Sequence, residues 1–333
     1  MALMRTLSKT LILFLFLFSQ NTFAHLRWFV DDEGSYRDVT YQLDWLMVLI
    51  MVGGALFVFI CIMLEKKASG NKLYYKYLSK PYPMKGLEWH FLSLIIVVML
   101  TINIIQGVFL APNLILPDVM KVNGMLIQLA VLVMLFISPL LSGLLLFLLI
   151  FFLPAMLPME LLIDYIFEFI GLALALILIS PRINRRDRSL LNKLDIPIPV
   201  GATNAARALR IFIGLQLLLL AIHNKLLDPG MGLVFLEENG FYNFISLMGF
   251  EQFTNLHFVF AGGLAEALFG LMLILGISTR FVMLVVSFFF IATSILTGIH
   301  ELVGHLPIFS IALIILLYGS RSNILRTYSV RFA

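Results

Sequence analysis

Only one cysteine, Cys61, occurs in 333 residues, which excludes an intrachain disulfide, a cysteine-based metal cluster and a CxxC redox centre. Charge is scarce too: 13% of residues are Asp, Glu, Lys or Arg, against about 25% in ordinary soluble domains. Histidine occurs six times and tryptophan three times. What fills the space is apolar, 61% of the chain, where about 45–50% is usual for a soluble domain. Several runs reach the roughly 20 apolar residues needed to cross a hydrocarbon core. A soluble fold is therefore excluded, and the expected class is all-α, a polytopic transmembrane helix bundle with the lipid bilayer as its surroundings. The net charge of +4 implies no nucleic-acid partner, because Lys and Arg in such chains mostly record topology.

Residues 1–24 read as a secretory signal. Arg5 and Lys9 supply the basic start, Leu11 to Phe18 an apolar core too short to span, and Thr22-Phe23-Ala24 a small-x-small cleavage site. Cleavage would leave His25 as the mature N-terminus; an uncleaved anchor is the competing reading. Residues 25–42 form a polar periplasmic segment, and 43–88 hold the first span and a lysine-rich cytoplasmic loop. Further spans are expected at 89–110, 125–138, 141–155, 160–179, 211–226, 256–277, 281–298 and 307–318, nine in all. A single helix over 125–157 would run roughly 50 Å at 1.5 Å per residue, too long for a core of about 30 Å. Pro139 favours a break midway.

Charge decides between these topologies. With nine spans and the mature N-terminus outside, 17 of the 23 Lys and Arg fall in the cytoplasm, four outside and two in the signal. One span over 125–157 would move the basic stretch Arg182–Arg210 to the wrong side. The expected location is the bacterial inner membrane, with the C-terminus inside. Two four-span units are expected, 89–180 and 208–320, joined by a basic linker, 181–207, and followed by a tail, 321–333. Met159-Glu160-Leu161-Leu162-Ile163-Asp164 parallels His300-Glu301-Leu302-Val303-Gly304-His305 at the start of each unit's last span.

This topology puts five of the six histidines on the outer face: His25, His223, His257, His300 and His305. Neutral imidazole is the commonest metal-ligand side chain, and Glu301 adds a carboxylate. A periplasm-facing metal or redox site is the functional expectation. Interfacial histidines satisfied among headgroups are the bland alternative. A free amine and imidazole at His25 would suit copper in a square-planar site; haem is the other metal-centre possibility. Acids inside spans cost roughly 2.5–3.5 kcal/mol near the bilayer centre, so Glu266 points to a partner or cavity. Glu160, Asp164 and Glu168 recur every four residues and would line one helix face as a proton or ion path.

The C-terminal third, about 205–320, resembles the DoxX-like family of small four-span membrane proteins. The resemblance rests on Arg210-Ile-Phe-Ile-Gly214 leading to His223-Asn224-Lys225-Leu226, on Gly263-Leu-Ala-Glu266-Ala-Leu-Phe-Gly270, and on Leu275-Gly276-Ile277-Ser278-Thr279-Arg280. It implies a link to quinone-coupled sulfur or thiol oxidation, a quinone cofactor, a membrane or periplasmic redox partner, and a substrate-binding role for Lys225. The crowd of outer histidines departs from that pattern. A transporter using the intramembrane acids and a non-catalytic scaffold for a partner enzyme are the alternatives.

Overall fold

The computed structural model describes residues 39–68, 80–111, 114–195, 201–297 and 305–319. The elements among them are all helical. The principal helices are α1 (Trp45–Ala68), α2 (Leu87–Gln106), α3 (Asp118–Ile137), α4 (Pro139–Phe152), α5 (Ile166–Ile183), α6 (Arg185–Lys193), α7 (Ala202–Ala221), α8 (Gly230–Glu238), α9 (Asn255–Leu275), α10 (Thr279–Thr297) and α11 (Leu306–Tyr318). Six of them, α1, α2, α3, α5, α7 with its extension, and α9, are long and apolar enough to cross a membrane. Three apolar helices are shorter, α4, α10 and α11; α11 measures about 20 Å at 1.5 Å per residue.

Helices α3, α4, α5, α7, α9 and α1 pack side by side in that order. A second layer closes over them, with α2 against α3, α11 between α2 and α10, and α10 against α9. The break at Pro139 is present: Ser138 caps α4, its hydroxyl accepting from Leu141 N at 3.1 Å. Proline at the helix start loses nothing, since its missing N–H would be unpaired there anyway.

Two hairpins of this row share one contact. A Cβ placed on Gly143 of α4 would lie 2.8 Å from the Ala173 carbonyl oxygen, 3.1 Å from Leu176 Cβ and 3.0 Å from Ile177 Cγ1 of α5. On Gly214 of α7 it would lie 2.8 Å from the Gly270 carbonyl oxygen, 3.0 Å from Leu273 Cβ and 3.0 Å from Ile274 Cγ1 of α9. Glycine lets the backbones touch, and the flanking sequences agree, Gly143-Leu-x-Leu-x-Leu-Leu149 beside Gly214-Leu-x-Leu-x-Leu-Leu220. Hairpin α4/α5 thus corresponds to hairpin α7/α9. That register differs from the four-span units starting at 89 and 208, because it matches the third and fourth spans of one with the first and second of the other. The segment His300–Gly304 lies outside the described residues.

Candidate functional site

Helix α7 does not end at Ala221 but widens into a π-turn, Ile222–Leu227, carrying His223, Asn224 and Lys225. Such single turns often mark functional positions because they redirect side chains that a regular helix would aim elsewhere. Here Lys225 Nζ donates to Glu266 Oε1 across the hairpin, with the two side chains 22% and 36% exposed. Gly263, one turn earlier on α9, makes the room: a Cβ there would meet Lys225 Cβ at 2.8 Å. Lys225 and Glu266, singled out separately by sequence, therefore form one unit.

The segment before α1 covers this unit. Tyr41 Oη donates to the Lys225 carbonyl oxygen at 2.5 Å and packs edge-on against Phe260, ring centres 5.1 Å apart. Burial raises the Tyr41 phenol pKa, so it stays protonated. Three residues on, Asp44 caps α1 by accepting from Met47 N at 2.8 Å, and its other oxygen lies 2.7 Å from His257 Nε2. His257 Nδ1 accepts from Thr254 N at 3.2 Å and from the Thr254 hydroxyl at 2.8 Å. The proton of a neutral imidazole is thereby placed on Nε2, donating to Asp44. The Met47 N–H and then the His257 ring hold the Asp44 carboxyl below the usual carboxylate range.

On the other side of the π-turn, His223 Nδ1 donates to Asn224 Oδ1 at 2.7 Å, and Asn224 Nδ2 donates to Asp164 Oδ1 at 3.4 Å. Asp164 is 1% exposed and Glu168 7%. The expected acidic face is not continuous, however. Residues 159–162 form a separate short helix and α5 starts only at Ile166. Gln216 of α7 takes over the interrupted backbone, donating to the Ile163 carbonyl at 2.8 Å and accepting from Phe167 N at 3.0 Å. Asp164 and Glu168 are thus not one turn apart on a regular helix; the Glu160 side chain lies outside the described residues.

The histidines go separate ways. His223 turns to Asn224, His257 to Asp44 and Thr254, and His305 is buried with its ring 4.7 Å from that of Phe290. Among the described residues no group of three or more His, Cys, Asp or Glu side chains could hold a metal ion. His25, His300 and Glu301 lie outside the described residues. Tyr41, Asp44 and Gln216 belong to the site and carry no signal in the sequence beyond Asp44 standing before an apolar run, whereas Asn224 stands in the His223-Asn224-Lys225-Leu226 motif.

An apolar groove between α1 and α9, lined by Gly53, Gly54, Phe57, Ala261, Ala265 and Phe269 among others, falls largely on the face of α9 turned away from Glu266 at 100° per residue. It offers no polar partner to a headgroup. A second polar cluster lies at the opposite end of the bundle. There Arg280 donates to the carbonyls of Leu316 (2.6 Å), Leu317 (3.0 Å) and Lys80 (2.7 Å) and lies over the Tyr82 ring. Tyr318 Oη donates to Glu88 Oε1 at 2.8 Å and accepts from Trp89 Nε1 at 3.2 Å. These contacts close helix ends. No family model, curated protein or solved structure matches the chain.

Proposed function

We propose that this chain is a DoxX-like, redox-associated protein of the bacterial inner membrane that binds a quinone headgroup at Lys225 and Glu266. In this reading the chain crosses nine times, with the cleaved N-terminus outside and the C-terminus inside. Lys225 Nζ donates to one oxygen of the quinone ring; when a redox partner takes two electrons from the quinol, the Glu266 carboxylate accepts one of the two protons released and the other passes to water. One observation carries the proposal. When Gly143 is registered on Gly214 and Ala173 on Gly270, Lys225 falls on Pro154 and Glu266 on Phe169. The α4/α5 hairpin reaches the same backbone contact with apolar residues there, so the scaffold has no need of the ion pair. An acid retained mid-helix at a cost of roughly 2.5–3.5 kcal/mol on insertion scales then has chemistry as its reason.

The test is calorimetric titration of the purified full chain with a short-chain benzoquinone. Saturable binding, lost in both Lys225→Met and Glu266→Gln, is expected. Absence of binding, or binding indifferent to both variants, overturns the proposal. Metal analysis and an absorption spectrum of the same sample test copper or haem through His25, His300, Glu301 and His305.

A second reading, ion transport along the acids, is favoured by the deep burial of Asp164 and Glu168. It requires accumulation of a cation in sealed vesicles that Asp164→Asn abolishes.

A further inference from the structure

Helix α6, at the end of α5 remote from Glu266, combines rigid attachment with an exposed face of mixed chemistry. Asn184 caps it, Oδ1 accepting from Arg186 N at 2.8 Å, and Asn184 Nδ2 donates to the Ile137 carbonyl at 2.9 Å. Asp187, 1% exposed, accepts from the Ser138 hydroxyl at 2.5 Å and from Leu140 N at 3.0 Å. Arg188 Nε donates to the Pro181 carbonyl at 2.7 Å. Four polar contacts therefore fix the helix against the α3–α4 turn and the end of α5, so its outward face is set by the fold.

That face is ordered around the helix. At 100° per residue, Asp187 and Leu191 point inward, Leu190 and Leu194 share the flank beside them, and Arg186 and Lys193 come next. Leu190 is 38% and Leu194 57% exposed. The turn holding α6 is itself bordered by exposed apolar side chains, Phe136 at 70%, Ile137 at 45% and Leu141 at 40%. The leucines thus continue an apolar surface at the end of a long apolar helix, and the basic pair sits immediately beyond it. A helix with leucines on one side and Lys and Arg on the adjoining side lies in a membrane interface, its leucines among acyl chains and its cations at the phosphates.

We infer that α6 is an interfacial helix that binds anionic phospholipid headgroups through Arg186 and Lys193. The inference rests on the long helices crossing a bilayer and is independent of the quinone site. Asp187 serves as its anchor: a lone carboxylate among four cations would weaken anionic binding if it faced the lipid, and its burial against Ser138 takes it away from that face.

Native mass spectrometry of the full chain in detergent, titrated with phosphatidylglycerol and phosphatidylcholine of matched chains, tests this. Bound phosphatidylglycerol should exceed phosphatidylcholine. Arg186→Gln with Lys193→Gln should lower phosphatidylglycerol binding by about fivefold to twenty-fivefold, each cation near an anionic surface contributing up to about fivefold. The charge-matched pair Arg182→Gln with Arg185→Gln, away from the leucine flank, should lower it less. Glycerol phosphate should not compete. Equal loss in the two pairs, no loss in the first, or full competition by glycerol phosphate would each overturn the inference. Leu194→Asn reads the same site without touching charge and should shorten lipid residence; unchanged residence counts against the interfacial placement.

Discussion

Asp44 and His257, 213 positions apart in the chain, meet at 2.7 Å and join the start of α1 to the start of α9. The Asp44 carboxyl is held below its usual range, first by Met47 N–H and then by His257. Its lowered folded value means that the contact contributes fully above the ordinary carboxylate value of about 4, and is lost as pH falls through the lower folded value. Hydrogen exchange at Met47 and Val48 should therefore be unchanged between pH 7 and pH 5 after correction for intrinsic rates. Asp44→Asn should speed it at both. Faster opening already at pH 5 in the unsubstituted chain would contradict this assignment.

Removing one member of the Lys225–Glu266 pair should cost more than removing both. A fully buried pair broken on one side loses about 3–5 kcal/mol; partial exposure here reduces that to about 1–2 kcal/mol. Lys225→Met with Glu266→Leu should return Tm close to its starting value, as the apolar Pro154 and Phe169 of the corresponding hairpin imply. Additive losses in the double variant would show instead that the pair holds the hairpin together.

Neighbouring glycines of α9 should respond in opposite ways. Gly263→Ala drives a methyl against Lys225 Cβ and should cost about 1–3 kcal/mol, while moving Lys225 away from Glu266. Gly262 has nothing within 4 Å of its added methyl, so Gly262→Ala should be neutral or stabilise by up to about 1 kcal/mol. Thermal unfolding in one detergent compares the two directly.

The two matching hairpins should fail alike. Gly143→Ala and Gly214→Ala each place a methyl 2.8 Å from a backbone oxygen, which cannot rotate aside as a side chain would. Both should lower Tm by a similar amount, in the range of about 1–3 kcal/mol. A harmless Gly143→Ala would mean that the α4/α5 contact is slack and the correspondence superficial.

Local signals in the sequence read well and long-range ones did not. The break between Ser138 and Pro139 follows from a proline and a capping hydroxyl within a few residues, and the expected helix limits at 256–277 and 307–318 lie within two residues of α9 and α11. The sequence predicts a span from 211, whereas α7 starts at Ala202, because Arg207 and Arg210 have the composition of a solvated linker. Arg210 is in fact 1% exposed inside the bundle, an environment built by helices far away in sequence. The continuous acidic face through Glu160, Asp164 and Glu168 failed for a similar reason. Its periodicity is real, but the Gln216 amide, about 50 positions onward, offers the backbone a better partner at Ile163 and Phe167. Asp44 could be read as a helix cap, whereas its reach to His257 could not.

The Arg280 cluster bears on a problem of length. A helix of 13 residues covers about 20 Å, yet the hydrocarbon core is about 30 Å, and the last carbonyls of a helix ordinarily need water. At α11 those oxygens have protein donors instead: Arg280 serves Leu316 and Leu317, and Tyr82 N serves Leu317 as well at 2.8 Å. Such an end carries its own solvation. The Leu316 and Leu317 carbonyls meet Arg280 and the Tyr82 N–H rather than the aqueous phase, so a helix this short needs no water at those two positions.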